Sequence, residues 1–281
     1  TINEVITASG TGAANLPGVG IDNNDTVTGP GGINVDATTG TFTNAGTLTN
    51  TGNAAAITIV ADDWDLGAGT ITGGSGNVTI ARTADAQIDL GTALTTAELA
   101  TVTTTGNFYI GSAANTGTID IAAAVAFAAS TPNVVLQATG AGGMITDSSG
   151  ATITVPGNLT MNADSGIGDA VNNIFMDVSG NFSATNTTAG DIYLHSLNDV
   201  QIGGASFVID EQVAGGTISV ISDGNIAIAG NQTVSGGGAS TIILDANGGI
   251  YETAAGAGTI TAATVNLGTE PGNTDFLGEN G

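Results

Sequence analysis

The sequence predicts an all-β chain wound as a right-handed parallel β-helix, about 11–12 coils of roughly 21–25 residues each. Three observations carry that expectation. Short runs that alternate apolar and polar residues, rich in Ile, Val and Thr, recur along the whole chain, the mark of half-buried strands. Glycine and asparagine separate the runs, as turn residues do. The pattern repeats with itself, and a unit this short cannot bury a face unless it stacks on its neighbours.

The repeat shows first as Gly-Asn followed by alternation. "GNVTI" begins at 76, "GNFYI" at 106, "GNLTM" at 157, "GNFSA" at 180 and "GNIAI" at 224. The last three spacings, 51, 23 and 44, fit two, one and two units. "TISVISDGNI" (217–226) lies over "TIILDANGGI" (241–250), and "ITIVADDWDL" (57–66) approximates "VTIARTADAQIDL" (78–90). At longer range "TTGNFYIG" (104–111) matches "TAGDIYLH" (188–195), pairing Phe108 with Ile192. Two alanine-rich stretches, 95–102 and 121–130, are read as strand or corner segments. Stacked asparagines at a repeated turn are expected to form a ladder. Residues 1–55 and 266–281 are less regular and are expected to be caps, a tail or joints around a shaft spanning 56–265.

Composition narrows the function. The 281 residues carry 25 Asp and Glu against one Lys or Arg, a net charge of −24. Binding to nucleic acid or to an anionic membrane surface relies on many cations, so neither is expected. Hydrophobic residues make up 41%, too many for a disordered chain. Aromatics are 4%, which suits a narrow interior of Ile, Val, Leu and Ala. Cysteine is absent, so no disulfide framework exists. No apolar run is long enough for a membrane helix. The chain opens on Thr1 and is expected to be a processed protein or an excised segment.

The stretches "ELATVTTTGNFYIGSAANTGTIDI" and "GNLTMNADSGIGDAVNNIFMDVSGNFSATNTTAGDIYLHSLNDVQIG" resemble the repeats of filamentous haemagglutinin-like large exoproteins, secreted bacterial β-helix fibres and adhesins. The resemblance covers roughly 56–265. It implies an extracellular or cell-surface structural protein with no catalytic residues, self-associating end to end or touching cell-surface glycans. The family's Asn-Pro-Asn-Gly-type secretion motifs are absent here. A carbohydrate-binding or polysaccharide-degrading β-helix is the alternative class.

Candidate chemistry is sparse, and no catalytic or cofactor-binding residue is expected. Arg82 is the one Lys or Arg. Alternation from Val78 and Ile80 aims it inward, where a bare charge is costly, so a corner position paired with Asp85 or Asp89 is expected. In "ADDWDLG" (61–67), Asp62, Asp63 and Asp65 surround Trp64. Three carboxylates could hold Ca²⁺ and the indole could stack on a sugar; the plainer reading is a corner loop of solvated acids with Trp64 covering the rod. "IDNND" (21–25) is a second Ca²⁺ candidate. His195 should face outward beside Tyr193, since Ile192 and Leu194 alternate inward. "TFTNAGTLTNT" (41–51) sets Thr at 41, 43, 47, 49 and 51; such a face can bind ice when Thr-x-Thr recurs on every coil, and no such recurrence is expected here. Asn-x-Ser/Thr sequons stand at Asn24, Asn77, Asn158, Asn181, Asn186 and Asn231.

Overall fold

In the computed structural model nearly all strands are parallel and stack as a β-solenoid of about ten turns. The structure describes residues 1–281 except 3, 5, 9–10, 38, 53, 83–85, 203–206, 229–232, 237–239, 253–258 and 270–281.

One sheet runs through the whole stack. Its eleven strands follow chain order, one per coil, from Ala14–Pro17 and Ile33–Asp36 through Ile57–Ala61, Val78–Arg82, Asn107–Ser112, Asn133–Ala138, Asn158–Ala163 and Phe182–Asn186 to Thr259–Thr261. This long sheet passes position 55 without a break, because Ile33 pairs with Ile57. The other faces change along the rod. A five-stranded sheet (Ile6–Thr7, Thr26–Thr28, Thr47–Thr49, Thr70–Gly74, Val102–Thr104) closes the early coils. A seven-stranded sheet, from Val125–Ala126 to Thr264–Thr269, closes the later ones.

The interior follows from alternation. Along the long sheet Ile33, Ile57, Val78, Phe108, Val134, Leu159 and Phe182 stack in register, each no more than 2% exposed. Burying one such side chain contributes about 1.5–3 kcal/mol, and those from Ile57 to Leu159 are packed by the same position one coil above and below. Asparagines form a second, inward ladder: Asn23 Nδ2 donates to Asn44 Oδ1 at 2.8 Å, with both residues fully buried.

Coil length varies more than the sequence suggested. Stacked partners lie as few as 19 residues apart (Asn15 and Asn34) and as many as 31 (Ile71 and Val102). Eleven strands in the long sheet make about ten turns from first to last. The longest coil carries a short helix, Thr96–Leu99, where a strand or corner was expected. Its cause is a capping box: Thr95 Oγ1 accepts from Glu98 N–H while Glu98 Oε2 accepts from Thr95 N–H at 2.9 Å. Thr-x-x-Glu is the sequence signature of that box, so this helix start was readable. The 121–130 stretch does contain strand, at Ile121 and Val125–Ala126.

The internal matches divide. Thr217–Ser222 stacks on Thr241–Ala246 and Ile226 on Ile250, as expected. Ile57–Ala61 stacks on Val78–Arg82, but the remainder of that match separates. Asp63–Asp65 pairs with Thr41–Thr43, while Ile88–Leu90 opens a different sheet with Ile119–Ile121. Phe108 and Ile192 occupy different sheets, the long one and the seven-stranded one. Four of the five Gly-Asn pairs precede strands of the long sheet; the fifth, at 224, precedes Ile226–Ile228 in another. The spacing of 44 is thus not two coils. Local alternation looks alike on every face, so it could not distinguish one corner from another.

Candidate functional site

Alternation decides the fate of the acidic stretch. In Asp63–Asp65 the two carboxylates point outward and the indole of Trp64 points in, 4% exposed. It continues a buried column through Ile21 and Phe42. Trp64 thus neither covers the rod nor offers a face to a sugar. Arg82 ends the strand Val78–Arg82 and is half-buried. Its guanidinium lies 5.3 Å from the Trp64 ring centroid, within range of a cation–π contact. Its Nε and the Trp64 indole nitrogen are buried and have no hydrogen-bond partner. Asp89 does not pair with it; that carboxylate accepts from Gln87 Nε2 at 2.5 Å. Asp85 lies outside the described residues.

No group of three or more His, Cys, Asp or Glu side chains is placed to hold a metal ion among the described residues. At 21–25 the residues disperse. Asp22 accepts from Thr1 Oγ1 at 3.1 Å, Asn23 turns into the core, and Asp25 Oδ1 accepts from the Thr26 N–H at 2.7 Å.

His195 faces outward with Tyr193, as alternation required, over fully buried Ile192 and Leu194. Its Nε2 lies 2.8 Å from Asp223 Oδ1 and its ring 4.5 Å from Phe175. The adjacent Ser196 points inward and donates to the Asn198 carbonyl at 3.0 Å, away from the imidazole. Burial raises the Tyr193 hydroxyl pKa, with nearby Asp191 adding to it.

The sequons separate by exposure. Asn186 is fully buried, while Asn77 and Asn181 are exposed. Asn231 lies outside the described residues.

The expected asparagine ladder runs along the outside of the long sheet, beside a groove that the sequence did not reveal. Asn107, Asn133 and Asn158 stack in register, between Asn77 on one side and Asn181 on the other. Asn77 Oδ1 accepts from Asn107 N–H at 3.0 Å, Asn133 Oδ1 from Asn158 Nδ2 at 2.7 Å, and Asn158 Oδ1 from Asn181 N–H at 2.7 Å. Beside this ladder is an open groove of about 470 Å³, bordered by Tyr109, Gln137, Thr160, Asn162 and Ser183. No charged side chain lines it. The signal for the ladder was present in the sequence: each of these asparagines stands just before the first inward residue of its strand.

The threonines of 41–51 also divide. Thr41 and Thr43 stack against the acids of 63–65, whereas Thr47 and Thr49 belong to the five-stranded sheet. There Thr-x-Thr does recur, on three successive coils though not on every one. Thr26-Val27-Thr28, Thr47-Leu48-Thr49 and Thr70-Ile71-Thr72 stack coil on coil in register. Their 21- and 23-residue offsets differ, which hid the alignment.

Comparison of the chain with protein-family models, with curated proteins and with solved structures finds no match.

Proposed function

We propose that this chain is a shaft segment or subunit of an extracellular fibre or adhesin, non-enzymatic and able to self-associate end to end. The observation that carries the reading is the unbroken eleven-strand ladder of the long sheet. At about 4.8 Å per rung it spans roughly 50 Å, with inward side chains closing the interior from Ile33 to Phe182. Such a body transmits load and holds distance. The resemblance to filamentous haemagglutinin-like repeats favours the same reading. A chain with one Lys or Arg in 281 residues offers trypsin-like proteases almost nowhere to cut, which suits exposure outside a cell.

Negative-stain micrographs of the purified protein over a range of concentrations, with and without Ca²⁺, test the assembly. Filaments thickening in number with concentration are expected. Short monodisperse rods under every condition would overturn end-to-end assembly.

The amide-lined groove favours a second reading, contact with a neutral glycan. Amides supply paired donors and acceptors, Tyr109 supplies a ring, and the lack of charge suits an uncharged sugar. Glycan binding lost in Tyr109→Ala at unchanged fold would support it; equal binding by that variant would refute it.

A further inference from the structure

The five-stranded sheet presents two ranks of threonine on its outer side. One rank runs Thr7, Thr28, Thr49, Thr72, Thr103, five coils in register. The other runs Thr26, Thr47, Thr70. Between them, pointing inward, stand Val27, Leu48, Ile71 and Val102, all fully buried. The array is therefore backed by a close-packed column. Thr70 Oγ1 donates to Thr47 Oγ1 at 3.2 Å, which ties neighbouring rungs together.

The face is uncharged in a chain of 25 acids; none of these eight outward positions is Asp or Glu. Parallel strands set the threonines about 4.8 Å apart between coils and about 6.6 Å apart along each strand. These two repeats are close to the oxygen spacings on a face of hexagonal ice. Threonine is stiff at χ1, so hydroxyls and methyls hold their positions without much entropy to lose. Protein partners are held by aromatic or arginine anchors, and this face has neither. A regular lattice of hydroxyl and methyl groups matches a partner that is itself a lattice.

We propose that the two threonine ranks bind the surface of ice. The inference does not rest on the shaft reading: inactive rods would leave that reading standing, and ice-active monomers would leave this one standing. The test uses the whole chain in nanolitre osmometry and an ice-recrystallisation assay, up to its solubility limit. Faceted ice crystals and a measurable freezing hysteresis are expected. The double variant Thr49→Lys with Thr72→Lys places ammonium groups in the middle of the long rank and should abolish both effects with the β-sheet circular dichroism unchanged. Thr154→Lys, on the seven-stranded sheet, should keep both. Absence of ice shaping by the native chain, or its survival in the double variant, overturns the proposal. So would a native dimer that dissociates in the double variant without any ice activity, since the face would then belong to a second copy.

Discussion

Glu211 offers a pH-dependent test of how the interior is held. Its side chain is 1% exposed and stacks next to Asn186, itself fully buried. Asn186 Nδ2 donates to both carboxylate oxygens, at 3.1 and 3.0 Å, and the Val213 N–H donates to Oε1 at 2.9 Å. The Asn186 Oδ1 beside them has no partner. Burial raises the Glu211 pKa, against the opposing pull of the Asn186 and Val213 bonds. The sign follows from linkage. With its folded pKa above the unfolded value, Glu211 contributes no penalty below the ordinary carboxylate range. Stability is then lost as pH rises toward the raised folded value. Glu211→Gln removes the titration, and its amide can donate to Asn186 Oδ1. The amide gives up one bond from Asn186 Nδ2 for the one to Oδ1 and carries no buried charge; relief of that charge is worth about 1–2 kcal/mol, or roughly 2–8 °C at 2–4 °C per kcal/mol. Thermal melts of both proteins followed by circular dichroism should agree near pH 4 and diverge toward pH 8, with the variant the more stable. A gap that stays constant with pH, or a variant that melts lower at pH 8, would refute the reasoning.

Gly106 lies directly over the Gly76 turn, and a Cβ there would sit 2.6 Å from the Gly76 carbonyl oxygen. Gly106→Ala should therefore destabilise by about 1–3 kcal/mol, with hydrogen exchange rising first in Val78–Arg82 and Asn107–Ser112. Unchanged exchange would mean that the turns do not need this close approach. Folded protein should resist trypsin, because Arg82 lies half-buried against Trp64, whereas urea-unfolded protein should be cut once, into two fragments. Rapid cleavage of the folded form would show that Arg82 leaves the indole readily.

Strand content and inward positions were legible because both depend on neighbours in sequence. Ile192, Leu194, Val78 and Ile80 are all fully buried as alternation required. The faces were not legible to the same degree. Which coil lies over which depends on corner lengths, and a solenoid accepts 19 residues at one step and 31 at another. Hence the asparagine ladder was foreseen as a kind of feature but not as a groove, and Thr47 and Thr49 were singled out without their recurrence on neighbouring coils. Trp64 was misplaced for a different reason. Weight was given to its three acidic neighbours, although Asp-Trp-Asp is itself an alternation that sends the indole inward.

The same tolerance bears on how such a chain carries function. Ladder hydrogen bonds need only strand register, so residues added at a corner leave the stack intact, as the Thr96–Leu99 helix does within its coil. Inward positions are constrained by the position above and below them; outward positions are constrained only by what they meet. A chemistry that serves one coil can then be copied to the next rung by the same register that aligns the core. The outer asparagines of 107–158 and the threonines of 26–72 are two such copies on two different sheets. In this architecture the unit that recognises a partner is a rank of like side chains several coils long. A single substitution within a rank should weaken recognition by a fraction, while charges placed at two adjacent rungs interrupt the repeat itself, which is why the ice test uses Thr49 and Thr72 together.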